Sequence, residues 1–134
     1  MTLVVDASVL VEELTNRDEA GRWARQALQL DGIVSAHHAP LEVANVLRRL
    51  ESTGEVSPDL AAIANAELSA MRLDLYPFQP YADRVWQLRH SVTIQDGWYV
   101  ALAESLGAPL ATVDLRLTRA PGPQCSFLTP TASI

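Results

Sequence analysis

Two kinds of apolar pattern alternate along the chain. Short apolar runs, several of them rich in β-branched residues, occur at Leu3 to Val5, Ile33 to Ser35, Leu73 to Tyr76, Leu110 to Val113 and Ser126 to Leu128. Runs of this length bounded by turn residues predict strands buried on both faces of a parallel sheet. Between them, apolar residues recur at helical spacing over Ala7 to Leu14, Glu19 to Leu30, Pro40 to Ser52, Pro58 to Met71, Tyr81 to His90 and Gln95 to Leu106. Pro40 suits a first helical turn, Gly54 stops that helix, Ser57-Pro58 reads as an N-cap followed by a proline at the first helical position, and Gly107 ends the last long helix. Turn signals at Asp31-Gly32, Thr53-Gly54 and Pro121-Gly122-Pro123 fall between elements. Strands alternating with helices predict an α/β fold with a mainly parallel central sheet and helices on both faces, whose ligands collect at the carboxyl ends of strands.

No repeat, low-complexity block or linker divides the 134 residues, so one domain over 1–134 is expected. A chain of this length buries roughly two-thirds of its unfolded surface and needs no disulfide or structural zinc. The single cysteine, Cys125, can make neither, which implies a reducing compartment. The opening MTLVVDASVLVEEL has no basic leader, and Asp6 interrupts its apolar stretch too early for a signal peptide. No run approaches the roughly 18 apolar residues of a membrane-spanning helix, so a soluble, cytoplasmic protein without membrane contact is expected.

The net charge of −6 argues against a nucleic-acid partner unless acids are committed elsewhere. Committing four of the sixteen carboxylates to divalent metal leaves −2 on the protein, and each bound ion adds positive charge where a phosphate would approach. All ten cationic residues are arginines, which excludes a P-loop lysine, a Schiff-base lysine and the lysine of a phospho-aspartate receiver.

Four acids stand where such ions would be held, and each also has a purely structural explanation. Asp6 follows the first strand and precedes a helix, a place where aspartate commonly serves as an N-cap. Asp114 ends the Leu110 to Val113 run in the same way, and two parallel strands delivering aspartate to one sheet edge is the more specific coincidence. Asp96 belongs to Thr93-x-x-Asp96, which resembles a capping box, although a first-turn carboxylate can meet the helix dipole and still offer an oxygen to a metal. Glu42 lies opposite an apolar stripe of Leu41, Ala44 and Leu47, joined by Val43 and Leu50, where a solvated face explains it as well. Glu42, Asn45 and Arg49 would then share one line along about two helical turns, roughly 10 Å.

Other candidates are weaker. His37 and His38 are adjacent, so their rings diverge, and no H-x-x-x-H spacing accompanies them. Ser8 suits a hydrogen bond to Asp6 better than a nucleophile's part, since no base is identified for it. Trp23, Trp86, Trp98, Tyr81 and Tyr99 lie in helical stretches and read as core or dimer contacts rather than base-stacking platforms.

Taken jointly, Asp6-Ala7-Ser8, Pro40-x-Glu42-x-x-Asn45-x-Leu47-Arg48-Arg49, Asp96-x-x-Tyr99-Val100-Ala101-Leu102-Ala103 and Thr112-x-Asp114-x-Arg116-Leu117 resemble the PIN-domain pattern over essentially the whole chain. The small size is similar to that of the VapC ribonucleases of toxin–antitoxin pairs. The resemblance implies a PIN-like fold, with Asp6, Glu42, Asp96 and Asp114 as metal ligands and Ser8, Asn45 and Thr112 as supporting polar groups. Two departures stand out: Gly97 replaces the usual alanine, and Arg116 stands where some relatives carry a further carboxylate, which leaves one or two metals open.

Oxygen ligands favour Mg²⁺ or Mn²⁺ over zinc. The resemblance then implies endonucleolytic hydrolysis of RNA, single-stranded or in loops, leaving a 5′-phosphate, with Arg49, Arg116 or Arg119 contacting phosphate. It further implies a homodimer and a VapB-like antitoxin whose C-terminal segment blocks the acids. Two competing readings are an inactive RNA- or protein-binding scaffold, and a phosphatase-like hydrolase with Asp6 as nucleophile; the latter lacks a second aspartate at Ser8 and any lysine.

Overall fold

The computed structural model describes residues 2–30 and 32–130. Its strands are β1 (Leu3–Val5), β2 (Ile33–Ala36), β3 (Asp74–Tyr76), β4 (Leu110–Ala111) and β5 (Phe127–Leu128). Its helices are α1 (Ala7–Thr15), α2 (Glu19–Ala27), α3 (Ala39–Ser52), α4 (Pro58–Ala70), α5 (Ala82–Gln87), α6 (Ile94–Leu106) and α7 (Leu115–Arg119). The sheet order is β3-β2-β1-β4-β5 and every pairing is parallel, as the apolar runs predict.

The central strand β1 explains the arrangement. Leu3, Val4 and Val5 are each 0% exposed, so this strand needs cover on both faces. The chain steps outward from β1 to β2 and β3, then returns past β1 to β4 and β5. With right-handed crossovers, that reversal puts α1 to α4 on one face and α5 to α7 on the other. Contacts agree: α1 packs on α2, α3 and α4, whereas α6 packs on α5 and lies across β1, β2 and β4. The reversal between β1 and β4 is a topological switch point, where the two sheet halves diverge and leave a crevice at the strands' carboxyl ends. Register pairs Val4 with Leu110 and Val5 with Ala111, so the next residues outward are Asp6 and Thr112.

Several boundaries move. β4 stops at Ala111 rather than Val113, because the Thr112 hydroxyl turns to Asp6 and the chain bends to start α7 at its Asp114 cap. β3 starts at Asp74, one residue after Leu73, and β5 at Phe127, one residue after Ser126. The pattern read over Tyr81 to His90 is a 3-10 turn at Gln79–Tyr81 followed by α5, after which Leu88, Arg89 and Ser91 bond three residues back. α2 ends at Ala27, three residues short of Leu30. Of the turn signal Asp31-Gly32, Asp31 lies outside the described residues; Gly32 has φ +75°. α6 closes at Gly107 in the left-handed region, φ +61°, where a side chain would be strained.

The stripe expected on α3 is corrected. Ala39, Val43 and Leu47 form its buried face, at steps of four, while Leu41 is 75% exposed. Gly97 also has a packing reason: a Cβ there would sit 3.2 Å from Val85 Cγ1 of α5, a tight approach, and 3.5 Å from Val92 Cγ2, an ordinary contact, so the glycine eases the fit of α6 against Val85.

Candidate active site

At the switch point the ends of β1 and β4 are tied together through Asp6. It caps α1, accepting the Val9 N–H at 3.3 Å, and is only 4% exposed. Ser8 Oγ donates to Asp6 Oδ1 and Thr112 Oγ1 donates to Oδ2, both at 2.5 Å. The two hydroxyls are held in turn: Val113 N–H donates to Ser8 Oγ at 3.1 Å and Asp114 N–H to Thr112 Oγ1 at 3.0 Å. Burial pushes the Asp6 carboxyl up to about 6, against the hydrogen bonds of Ser8, Thr112 and Val9, and the charge of Asp96 adds to the rise.

Asp114 caps α7, accepting the Arg116 N–H at 3.0 Å and the Leu117 N–H at 3.4 Å. Asp96 stands in the first turn of α6, its N–H donating to Thr93 Oγ1 at 3.1 Å, so the expected capping arrangement forms. Burial raises the Asp96 carboxyl, a Thr93 hydrogen bond opposes this, and the charges of Asp114 and Glu42 raise it further. Beneath these groups Tyr99 is fully buried, its phenol pushed upward by burial and by the charges of Glu42, Asp6 and Asp96. Four acids separated by up to 108 residues thus share one electrostatic neighbourhood with Asp96 at its centre.

The neighbourhood is looser than a closed metal cage. Among the described residues, no group of three or more histidine, cysteine, aspartate or glutamate side chains is drawn in tightly enough to hold an ion alone. The first turn of α6 separates two depressions. One, of about 330 Å³, is lined by Thr93, Asp96, Asp114 and Arg116; the other, of about 670 Å³, by Glu42, Asn45, Phe78, Ile94 and Trp98 among others. The chemistry of the donors still fits a hard cation. They are carboxylate oxygens under mutual repulsion, and Mg²⁺ keeps several waters while taking only one or two carboxylates plus substrate phosphate.

The remaining predicted residues divide. Ser8 and Thr112 orient Asp6 directly. Asn45 is exposed on the rim of the larger depression and accepts from Arg48 Nε at 3.1 Å. Arg49 and Arg119 are exposed, and the Arg116 side chain is 94% exposed with Nε 3.8 Å from Asp114 Oδ1. Of the aromatic residues, Tyr99 is core and Trp23, Tyr81 and Trp98 pack against it, but Trp86 is 61% exposed, with Arg89 4.4 Å above its ring.

One pairing escaped sequence reasoning, which weighed His38 only as a ligand or base beside His37. His38, one helical turn before Glu42, has Nε2 3.2 Å from Glu42 Oε1. The available signal was the spacing of four to Glu42, which pairing His38 with its neighbour His37 obscured.

The PIN-domain family profile matches residues 3–123. Ribonuclease VapC1 of Mycobacterium tuberculosis is 37% identical over 125 residues, covering 92% of this chain and 94% of that protein. Two solved structures share the fold. The Mycobacterium tuberculosis VapC20 toxin, which cleaves the Sarcin-Ricin loop, superposes with a TM-score of 0.66 at 15% identity, over 88% of this chain and 94% of that one. A toxin–antitoxin complex from Klebsiella pneumoniae gives 0.68 at 18% identity, over 97% and 98%. With the profile spanning nearly the whole chain and a curated relative this similar from end to end, the chain belongs to the PIN-domain family.

Proposed function

We propose that this chain is a divalent-metal-dependent endoribonuclease of the VapC toxin kind, with Asp6, Glu42, Asp96 and Asp114 holding Mg²⁺ or Mn²⁺. The observation that carries the reading is the shared field around Asp96, into which Asp6, Asp114 and Glu42 all reach. Repulsion among ionised groups is a stability cost that a structural cap does not require, and a cation relieves it.

When bound, Mg²⁺ or Mn²⁺ supplies Lewis-acid stabilisation of the phosphoryl charge and makes a nucleophilic water available at neutral pH. The chain's own residues set the geometry. Ser8 and Thr112 hold both Asp6 oxygens, fixing the carboxylate plane at the strand end. Asp96 and Asp114 border the smaller depression, and Arg116, which lines it as well, meets a phosphate oxygen in this reading. Arg49 and Asn45 on α3 extend this contact toward neighbouring nucleotides. Water attacks phosphorus in line, the bond to the 3′-oxygen breaks, and the products are a 5′-phosphate and a 3′-hydroxyl.

The substrate is single-stranded or looped RNA, which presents unstacked bases that an A-form duplex hides. The partners are a second copy of the chain and a VapB-like antitoxin whose C-terminal segment sets a cation against the acids; the similarity to a toxin–antitoxin complex supports this. The compartment is the cytoplasm, and among the described residues no helix is long and apolar enough to cross a membrane.

A scaffold without catalysis is the second reading, favoured by the absence of a closed metal cluster among the described residues. Cleavage of total RNA by purified, antitoxin-free protein separates the two. Cutting with Mg²⁺ that chelator and Asp96→Asn both abolish supports the enzyme. A folded wild type that leaves a broad RNA pool intact with either metal supports the scaffold.

A further inference from the structure

His38 occupies the N-cap position of α3, yet its side chain makes no capping hydrogen bond. The ring lies instead on α6, stacked on Trp98 with centroids 4.5 Å apart at 15°, and tilted against Tyr99 at 4.8 Å and 38°. Two aromatic contacts fix the plane of an imidazole that has only two rotatable bonds, and so fix the direction of Nε2. Glu42 is the charged group nearest to that nitrogen, within ion-pair distance but outside hydrogen-bond geometry. Nε2 and Glu42 Oε1 are both buried, stand 3.2 Å apart, and neither has a hydrogen-bond partner in the structure. Glu42 itself is 38% exposed on a helix surface and carries three rotatable bonds, so an untethered carboxylate would sweep away from Asp96.

We propose that His38 is a positioning residue that holds Glu42 Oε1 inward and thereby limits the swing of a carboxylate that binds a cation. The inference rests on the metal-dependent reading above and adds to it a partner from outside the carboxylate set. Ligating carboxylates are themselves oriented by hydrogen-bonding neighbours, and removing such a neighbour typically weakens metal binding about 10–100-fold. The histidine acts through the carboxylate and touches no reacting atom. Its neighbour His37 is exposed and serves as the control.

The test is Mn²⁺ titration of the full chain, read by the electron paramagnetic resonance of free Mn²⁺, alongside melting in chelator. His38→Phe keeps the stack on Trp98 and Tyr99 and removes the ring nitrogens. It is expected to bind Mn²⁺ about 10–100-fold more weakly with its melting temperature in chelator close to wild type, whereas His38→Gln, with an amide N–H at similar reach, recovers most of the affinity. His37→Ala is expected to bind like wild type. Wild-type affinity in His38→Phe, or no recovery in His38→Gln, overturns the positioning role while leaving the nuclease reading standing. A wild type that binds no Mn²⁺ overturns both. If His38→Phe does not fold, His38→Gln against His38→Met makes the same comparison, and equal affinity in that pair overturns the proposal.

Discussion

Replacing Asp6 by Asn isolates the cost of holding a charge at the switch point. The carboxyl is 4% exposed and its pKa rises from 3.8 to about 6, first through burial and finally through repulsion from Asp96. That rise corresponds to about 3 kcal/mol of disfavoured ionisation. Since the folded value lies above the ordinary one, the folded chain keeps a proton between those pH values that the unfolded chain has released. The stability associated with neutral Asp6 is therefore complete below pH 3.8 and is lost as the pH climbs through about 6. Asn carries no charge, but its amide NH₂ replaces the oxygen that accepts the Thr112 O–H, so donor faces donor and one hydrogen bond worth about 1–2 kcal/mol is degraded. The net expectation in chelator at pH 7.5 is a gain of about 1–2 kcal/mol for Asp6→Asn, or roughly 3–10 °C in melting temperature. At pH 4 the advantage disappears, because wild-type Asp6 is then largely protonated. Adding Mn²⁺ at pH 7.5 reverses the order by stabilising only the wild type. Thermal melts of both proteins in chelator from pH 4 to 8, repeated with Mn²⁺, check this. An Asn variant less stable than wild type at pH 7.5 without metal, or a stability difference that does not vary with pH, refutes the electrostatic account.

Three further outcomes are expected. Arg84 makes a two-pronged pair with Glu104, at 2.7 and 3.0 Å, and also donates to Gly122 O; Arg84→Ala should cost about 2 kcal/mol in urea melts at pH 7. Burial raises the Glu104 carboxyl, but Arg84 and the Gln124 N–H outweigh it and the net direction is down, so the loss should fade as the pH falls below the ordinary carboxylate range. Gly97→Ala gains helix propensity but presses on Val85, and is expected to lose about 1 kcal/mol net, with Val85→Ala in the same chain removing the clash. Arg116→Ala should leave the melting temperature unchanged, since its side chain is 94% exposed, while lowering the salt dependence of RNA binding by about 0.7 in log–log slope.

What the chain declared in advance follows from how local each cause is. The Leu3 to Val5 run, the caps at Asp6, Ser57 and Asp114, and the Gly107 stop depend on neighbours a few residues away, and all appear in the structure. Glu42 could not be told from a solvated residue by periodicity. Its proximity to Asp96 follows from how α3 and α6 approach each other across the sheet edge, and no local pattern encodes that. The same limitation misplaced Leu41, because an apolar residue on a helix is assigned to the buried stripe unless the packing partner is known. The supporting hydroxyls of Ser8 and Thr112 came from the family resemblance for Thr112 and from proximity to Asp6 for Ser8. Their joint grip on one carboxylate required the β1–β4 register.

The Asp6–Thr112 bond spans 106 positions, so the order in which the polypeptide is made differs from the order in which its acids can meet. During synthesis β1 emerges early and finds β2 within about thirty residues, but its other flank stays open until β4 has left the ribosome. A growing chain therefore holds Asp6 without the Thr112 hydroxyl or the Asp114 turn, and shorter products that end before β4 cannot assemble the acidic neighbourhood at all. Translation itself thus delays whatever chemistry those carboxylates perform until β4 and the Asp114 turn have been made.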